Sequence, residues 1–305
     1  MSSEQQKADL RQSIVAVLVT YRPDAAIIEY VRRIVEQVRE VIVVDNGTDG
    51  AAAEWVNSLD AVPGITLIRN RANLGIAAAL NIGVRRALQS GCSWIATFDQ
   101  DTGIPENYFG QLLQVYKTCP EPAKVGMVVP SGWTEHDRSG KHSASTTRSW
   151  LFVAGAIASG SLIKAEVFGA AGLYDEDLFI DYVDTDFCLR VQKNGFKILS
   201  VASVLLEHEL GQRQTRNLLG YTLSFRIHTA WRYYYIIRNR LLLYRRYGTV
   251  APGWLLHDLR WLFMELGRIF LLENDRGPKI RAVVQGTKDG LKNKSGRHPD
   301  YPPSR

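Results

Sequence analysis

Five short apolar runs, rich in β-branched residues, recur through the first 130 residues of this 305-residue chain. No other feature constrains the fold as strongly, because strands of this kind must be covered on both faces. The runs are IVAVLVT (14–20), VIVVD (41–45), ITLI (65–68), WIATFD (94–99) and VGMVVP (125–130).

The segments between these runs have helical spacing. Apolar residues recur every three or four positions between 27 and 38, after the start signal Pro23-Asp24. Residues 73–88 combine a loop with a helix of small residues, and a further helix is predicted with Pro105 in its first turn. The alternation predicts an α/β fold in which helices flank a mostly parallel sheet.

Polar residues end three of the predicted strands. Thr20, Asp45 and Asp99 are the last residues of their runs. Because ligands of open α/β sheets bind beyond the carboxyl ends of the strands, we expect these three side chains to share one crevice.

The sequence TFDQD places Asp99 and Asp101 one residue apart at the end of a strand. Such a pair can direct one carboxylate to a ribose and the other to Mg²⁺ or Mn²⁺, which prefer oxygen ligands. The alternative is that Asp101 caps the helix predicted near Pro105. Gln100, between the two aspartates, has no role that the sequence explains.

A second acidic cluster precedes a predicted helix. Asp181, Asp184 and Asp186 fall within six residues, which is more than helix capping needs, although any single member is a plausible cap. A general base must be a carboxylate with access to the proton that it removes. We assign that role to Asp184, with Asp186 as its support.

The segment LLEHELGQRQTR (205–216) is the third candidate. The neutral imidazole of His208 is a potential metal ligand, although a single histidine beside an apolar run is more often structural. Arg213 and Arg216 could bind a diphosphate, because guanidinium groups match phosphate oxygens. The alternative is that they are surface charges.

Composition indicates a globular protein of a reducing compartment. The chain has three cysteines without a C-x-x-C pair, and its first 12 residues lack the apolar core of a signal peptide. It also lacks an uninterrupted apolar run of the roughly 18 residues that a spanning helix needs. These features predict a cytoplasmic protein.

Charge is segregated along the chain. Residues 1–210 contain 19 Lys and Arg against 25 Asp and Glu, whereas residues 211–305 contain 18 against 6. Leu255, Leu259, Leu262, Leu266 and Ile269 recur at helical spacing among these basic residues, and this pattern suits a lipid surface better than nucleic acid. Packing of this stripe on the catalytic domain, or a homo-oligomer interface, stays open.

Taken in order, six motifs resemble those of family 2 GT-A glycosyltransferases, and most closely the bacterial rhamnosyltransferases. The resemblance covers residues 14–247. The motifs are VTYRP, VIVVDNG, RNRANLGIAAALNIGV, TFDQD, LFIDYVDTDFCLR and EHELG.

The resemblance implies an inverting enzyme that uses a nucleotide-sugar donor, with dTDP-β-L-rhamnose first among the candidates, and a glycan or lipid-linked acceptor. It implies a nucleotide-binding half (14–130) and an acceptor half (131–220) of one catalytic domain (14–220). The polar segment 1–13 precedes this domain and a basic helical region (221–305) follows it.

The resemblance also implies roles for single residues. Asp101 and His208 would hold the metal, and Asp184 would be the catalytic base. Val183 departs from the family pattern, which has an acid there, and leaves Asp181 as a substitute acceptor contact beside Ser159 and Gly160. The residues implied for the nucleotide and the donor are Thr20, Tyr21, Arg22, Asp45, Asn73, Gly75, Asn81, Asp99, Arg213 and Arg216.

Alternatives from other classes fit less well. A dinucleotide-dependent oxidoreductase needs G-x-G-x-x-G after the first strand, where this chain has TYRPDA. A nucleotidyltransferase needs a glycine-rich loop at the same place. Within the glycosyltransferases, galactofuranose, glucose and N-acetylglucosamine stay open as the transferred sugar.

Overall fold

A computed structural model describes residues 3–134, 149–208, 213–218 and 221–303. The chain forms two compact units. The sheet unit comprises Met1–Tyr174 and Phe187–Glu209, and the helical unit comprises Asp175–Asp186 and Leu210–Arg305. Most of the predicted polar loop 131–149 lies outside the described residues.

The sheet unit contains most of the predicted strands and helices. Its strands are β1 (Ile14–Thr20), β2 (Glu40–Asp45), β3 (Ile65–Arg69), β4 (Trp94–Asp99), β5 (Thr102–Gly103), β6 (Val125–Thr134), β7 (Trp150–Val153), β8 (Ser161–Lys164) and β9 (Lys197–His208). Its helices are α1 (Ser3–Ser13), α2 (Ile27–Val35), α3 (Ala53–Leu59), α4 (Ile76–Gln89), α5 (Tyr108–Thr118), α6 (Ala165–Ala171) and the greater part of α7 (Val183–Lys193), which begins in the helical unit.

The described strands of this unit form one mixed sheet in the order β3-β2-β1-β4-β8-β6-β9-β5, with β7 also paired to β9. The first four strands are parallel, as the alternating pattern predicts. All seven residues of β1 are buried at the centre of this parallel part. Beyond β4 the sheet gains antiparallel strands, because β8 pairs antiparallel with both β4 and β6.

The predicted helix start at Pro105 is wrong. Helix α5 begins at Tyr108, whose backbone N–H donates to Gln37 Oε1 at 2.7 Å. The chain before it contains β5, which pairs with the end of β9, and a turn that ends at Asn107 in the left-handed conformation. Asp101 therefore lies before a strand and does not cap this helix.

The helical unit contains a two-stranded hairpin, β10 (Arg213–Leu218) and β11 (Tyr221–Arg226), and three helices. These are α8 (Ala230–Tyr247), α9 (Pro252–Leu271) and α10 (Arg276–Leu291). Helices α8 and α10 approach closely at Gly286, where an added Cβ would lie 2.5 Å from the carbonyl oxygen of Tyr234. None of the described helices is long and apolar enough to cross a membrane.

The borders of the two units differ from the predicted border at residue 220. The helical unit begins at Leu210, and it includes the distant segment Asp175–Asp186. The physical reason is a set of hydrogen bonds from α8 to the backbone of this segment.

Candidate functional site

The ends of three parallel strands lie side by side in the sheet unit. Thr20 is in register with Asp45 on the neighbouring strand, and Val19 is in register with Asp99 on the other side. Thr20 and Asp45 are buried, whereas Asp99 is half-buried. The parallel register therefore brings together the three strand-end residues that the sequence predicts.

Gln100 links two of these strand ends. Its Oε1 accepts hydrogen bonds from the backbone N–H of Tyr21 at 2.7 Å and from the hydroxyl of Thr20 at 3.0 Å. The residue between the two aspartates thus fixes the backbone after β4 to the backbone after β1. This role could not be predicted from the sequence, because nothing local to TFDQD indicates a partner 80 positions away.

The Asp45 carboxylate orders the loop after β2. It accepts the backbone N–H of Thr48 at 3.2 Å and also the Thr48 hydroxyl. Thr48 Oγ1 in turn accepts the backbone N–H of Arg22, whose φ is 52°. The Arg22 guanidinium pairs with Asp49 at 2.8 Å and lies 5.1 Å from the centre of the Tyr21 ring. Asp49 also raises the pKa of Arg22, so this arginine stays charged.

The side chain of Asn46, the residue after Asp45, holds the loop that precedes α4. Its side-chain amide donates to Asn73 Oδ1 at 3.1 Å and to the carbonyl of Gly75 at 3.2 Å, while its oxygen accepts the N–H of Leu74 at 3.0 Å. Gly75 has a φ of 90° as the residue before α4, a conformation that glycine adopts without a steric penalty. Asn73 and Gly75 thus lie in one ordered loop beside Asp45.

Asn81 differs from these residues. It is buried on α4, and its amide donates to the carbonyl of Tyr174 at 2.8 Å and accepts that residue's N–H at 2.9 Å. Both ends of its amide bind the backbone of Tyr174. This geometry favours a structural role for Asn81 over contact with a nucleotide-sugar donor.

Ser159 and Gly160 support the strand end that carries the paired aspartates. The Ser159 hydroxyl accepts the backbone N–H of Asp99 at 3.0 Å and shares a hydrogen bond with Thr102 at 2.7 Å. Gly160 donates its N–H to the carbonyl of Thr97 at 2.7 Å. Both residues are buried, and this burial favours bracing of the Asp-x-Asp turn over the predicted contact with an acceptor.

Asp101 lies one residue before β5, which pairs with the last residues of β9. In that register Thr102 is opposite His208, so the His208 backbone is adjacent to the Asp-x-Asp turn. The His208 side chain lies outside the described residues, as do those of Arg213 and Arg216 on β10. Asp101 and Gln100 also line a small open pocket with Pro23 and Tyr30.

The described residues contain no group of three or more His, Cys, Asp or Glu side chains placed to bind a metal by themselves. A single carboxylate is nevertheless sufficient where phosphate oxygens supply further ligands.

In the helical unit, α8 holds the acidic segment Asp175–Asp186 through Asn239. This asparagine is fully buried, and its amide nitrogen lies 2.9, 2.7 and 2.8 Å from the carbonyl oxygens of Leu178, Ile180 and Asp181. The neighbouring Arg238 is also buried and donates to the carbonyl of Leu178 at 3.0 Å. Two consecutive residues of α8 thus satisfy the backbone of a segment about 60 positions earlier in the chain.

The backbone that they hold is strained. Phe179, Asp181 and Tyr182 all have positive φ, at 64°, 60° and 64°. Each such residue costs on the order of 1 kcal/mol when it is not glycine. The hydrogen bonds from α8 offset this cost and fix the turn that leads into α7.

Asp184 lies in the first turn of α7, directly after this strained turn, and is half-buried. Asp186 is buried and accepts the hydroxyl of Tyr247 at 2.7 Å, which suits the supporting role predicted for it. The Asp181 carboxylate pairs with Arg232.

Tyr182, which follows Asp181, joins a cluster of charges around the buried Arg240. Its hydroxyl donates to Asp258 at 2.9 Å, and burial raises its pKa so that this proton is retained. Arg240 on α8 pairs with Asp258 and with Glu265 on α9, each at 2.9 Å. This cluster fastens the strained segment to α8 and α9.

Comparison with known families identifies the family to which the chain belongs. The family described as Glycosyl transferase family 2 matches residues 15–174, which span all three strand ends. The chain belongs to glycosyltransferase family 2. It is therefore an enzyme that transfers a glycosyl group.

Two relatives of this family 2 glycosyltransferase cover most of its length. The dTDP-rhamnosyl transferase RfbF of Shigella flexneri is 32% identical over 94% of this chain and 98% of its own. The galactofuranosyltransferase GlfT1 of Mycolicibacterium smegmatis is 25% identical over 74% of this chain and 81% of its own.

Solved structures place this family 2 glycosyltransferase in the GT-A fold. The mannosyltransferase PcManGT of Pyrobaculum calidifontis, solved in complex with GDP-Man and Mn²⁺, superposes with a TM-score of 0.56. That likeness covers 93% of this chain and 88% of the other at 15% identity, so it supports the fold alone.

Proposed function

We propose that this enzyme transfers L-rhamnose from dTDP-β-L-rhamnose to a hydroxyl of a glycan or lipid-linked acceptor in bacterial surface polysaccharide synthesis. The observation that carries this proposal is the 32% identity to the Shigella dTDP-rhamnosyl transferase, which extends over nearly the full length of both chains. Transfer of galactofuranose is the second candidate, because the next relative is a galactofuranosyltransferase.

The ordered loops of the sheet unit would bind the donor. Thr20, Tyr21 and Asp45 would surround the nucleotide base, and Asn73 would lie near the nucleoside. Asp99 would bind the ribose or the sugar. These roles are supported by the register of the strand ends and by the hydrogen bonds of Asn46 and Gln100, which fix the loops around them.

The residues near the Asp-x-Asp turn fit a divalent cation. Asp101 offers a carboxylate beside a pocket, and the His208 backbone is adjacent in register. Asp101, with His208, would hold Mg²⁺ or Mn²⁺ together with the donor diphosphate. When bound, such an ion neutralises negative charge that develops on the leaving diphosphate. Arg213 and Arg216 would add positive charge for the same diphosphate.

Asp184 would act as the general base. The acceptor hydroxyl oxygen forms a bond to the anomeric carbon as the bond from that carbon to the dTDP oxygen breaks. The proton of the hydroxyl passes to the Asp184 carboxylate, and dTDP leaves with the bonding electrons. A single displacement inverts the anomeric centre, so a β-linked donor gives an α-linked product.

The cell location would be the cytoplasm, where nucleotide sugars are available, with peripheral contact to the inner face of the membrane. The composition of the C-terminal third and the absence of a spanning helix among the described residues support this location.

A panel of nucleotide sugars tests the donor. We expect dTDP-rhamnose to be consumed with a kcat/KM at least about tenfold above those of UDP-galactofuranose, UDP-glucose and UDP-N-acetylglucosamine, because pocket contacts to the sugar and base discriminate by at least that factor. Release of free nucleotide measures turnover. If UDP-galactofuranose is consumed fastest, the second candidate function replaces the first.

Exchange of Asp101 for Asn tests the metal site. We expect kcat/KM to fall by at least about 100-fold, because the charge that holds the cation is removed. The thermal stabilisation that Mn²⁺ adds to dTDP should also disappear. Asp24→Asn is the matched control, since Asp24 lines the same pocket and caps the chain before α2. Equal losses in both variants would contradict the assignment to Asp101.

A further inference from the structure

Helix α9 has an unusual distribution of polar and apolar side chains. Its inward side carries Asp258 and Glu265, which pair with Arg240, and a row of leucines that are half-buried. Its outward side is mainly apolar and exposed, although the exposed side chains of Arg260 and His257 also lie on it. The outward apolar residues are Leu256, Trp261, Phe263, Met264, Phe270 and Leu271, of which Leu256 and Phe263 are each 69% exposed.

These apolar residues lie along one side of the helix, in two rows with Arg260 between them. Leu256, Phe263 and Phe270 are spaced seven apart, as are Met264 and Leu271, so both sets lie along one side of the helix. The face extends about 22 Å, from Leu256 to Leu271, at the usual rise per residue. A contiguous exposed apolar surface of this size marks a site of contact with a membrane or another protein.

The charges around the helix distinguish between these two partners. Of the six carboxylates after residue 220, Asp258, Glu265, Glu273 and Asp289 are bound to basic side chains within the unit. The exposed carboxylates of the described helical unit are Glu176, Asp177, Asp275 and Asp300, of which the last two lie between residues 227 and 303.

The exposed basic residues of the same range are far more numerous. Contact with a second copy of this surface would bring these positive charges close to one another, whereas the negative lipids of an anionic bilayer would attract them. The exposed basic residues are Arg245, Arg246, Arg260, Arg276, Arg281, Lys288, Lys292, Lys294 and Arg297.

We propose that the outward face of α9 inserts into the interface of an anionic phospholipid bilayer, parallel to the surface. The phenylalanines and leucines enter the boundary between headgroups and acyl chains, and the exposed arginines and lysines bind lipid phosphates. Trp261, at the edge of the face, donates its indole N–H to His257 at 2.9 Å. The proposal rests on the proposed function in one respect. Membrane binding would bring the enzyme to its acceptor only if that acceptor is linked to a lipid.

Vesicle sedimentation of the full chain tests the face. We expect binding to vesicles of phosphatidylcholine mixed with phosphatidylglycerol, weak binding to phosphatidylcholine alone, and loss of binding at high salt. Phe263→Ser combined with Leu271→Ser should weaken binding at least about tenfold. Both positions are exposed, so the fold should persist. The matched control is Val284→Ser with Leu291→Ser, which removes exposed apolar residues of α10.

Two outcomes would overturn the proposal. One is equal binding by the α9 and α10 variants, and the other is no binding of the unmodified chain to anionic vesicles at low salt. A dimer in sedimentation velocity that becomes a monomer in the α9 variant, without vesicle binding, would assign the face to a second copy. Nucleotide release from dTDP-rhamnose in solution is measured separately, so failure of the proposed function can be distinguished from failure of membrane binding.

Discussion

Replacement of Asp184 by Asn should lower kcat by about 100- to 10,000-fold, which is the contribution of a positioned general base. The amide has nearly the same shape as the carboxylate but cannot accept the acceptor's proton. Binding of dTDP in the presence of Mn²⁺, measured by calorimetry, should change little, because Asp184 has no proposed role in holding the nucleotide. The two measurements together separate loss of chemistry from loss of donor binding.

Asp181→Asn provides the comparison for this result. Asp181 is paired with Arg232 and lies in the same strained turn, three positions earlier. If it contacts the acceptor, its exchange should raise the acceptor KM with a smaller effect on kcat. Normal turnover of the Asp184 variant, or a larger loss of kcat in the Asp181 variant, would transfer the role of base away from Asp184.

The parallel half of the sheet and the position of the paired aspartates could be predicted from the sequence. Buried parallel strands are continuous apolar runs, and the last residue of each run identifies the strand end. This information is local, so the meeting of Thr20, Asp45 and Asp99 followed from it.

The antiparallel additions could not be predicted in the same way. Strand β5 has two residues and therefore no periodicity, yet its pairing with β9 is what brings the His208 backbone next to the Asp-x-Asp turn. The partners of Gln100, Asn46 and Ser159 were missed for a related reason. A hydrogen bond between a loop amide or hydroxyl and a distant strand leaves no pattern in the residues around either end.

The prediction of a helical region over residues 221–305 agrees with α8, α9 and α10 but is wrong for β11 (Tyr221–Arg226), and its account of the helix faces was incomplete. The leucine stripe of α9, for which the sequence favours a lipid surface, is half-buried, and a second apolar set is exposed instead. In α8, the run Arg238-Asn239-Arg240 would be expected at the surface, whereas all three residues are buried. The available signal was their position between Ile236-Ile237 and Leu241-Leu243, since polar residues inside an apolar run must have buried partners.

Because Asn239 is buried and bound to the acidic segment, its replacement should also lower kcat strongly. Asn239→Asp should lower kcat by about 100-fold or more, although Asn239 itself is not proposed to touch the substrate. The exchange replaces an amide donor with an acceptor that faces the carbonyls of Leu178, Ile180 and Asp181. Each buried carbonyl that loses its partner costs about 1–3 kcal/mol. The strained turn should relax and displace Asp184 from the position in which it accepts a proton.

Loss of stability must be separated from loss of positioning in this variant. Tyr233→Phe is the matched control, because the buried Tyr233 hydroxyl bonds to Glu273 at 2.6 Å and to Arg268 at 3.1 Å, and neither partner belongs to the acidic segment. We expect both variants to lower the melting temperature, and only Asn239→Asp to lower kcat in the temperature range where both are folded. Binding of dTDP should persist in each. If the two variants lose kcat equally, the segment is held by the general stability of the helical unit, and Asn239 has no specific part in positioning the base.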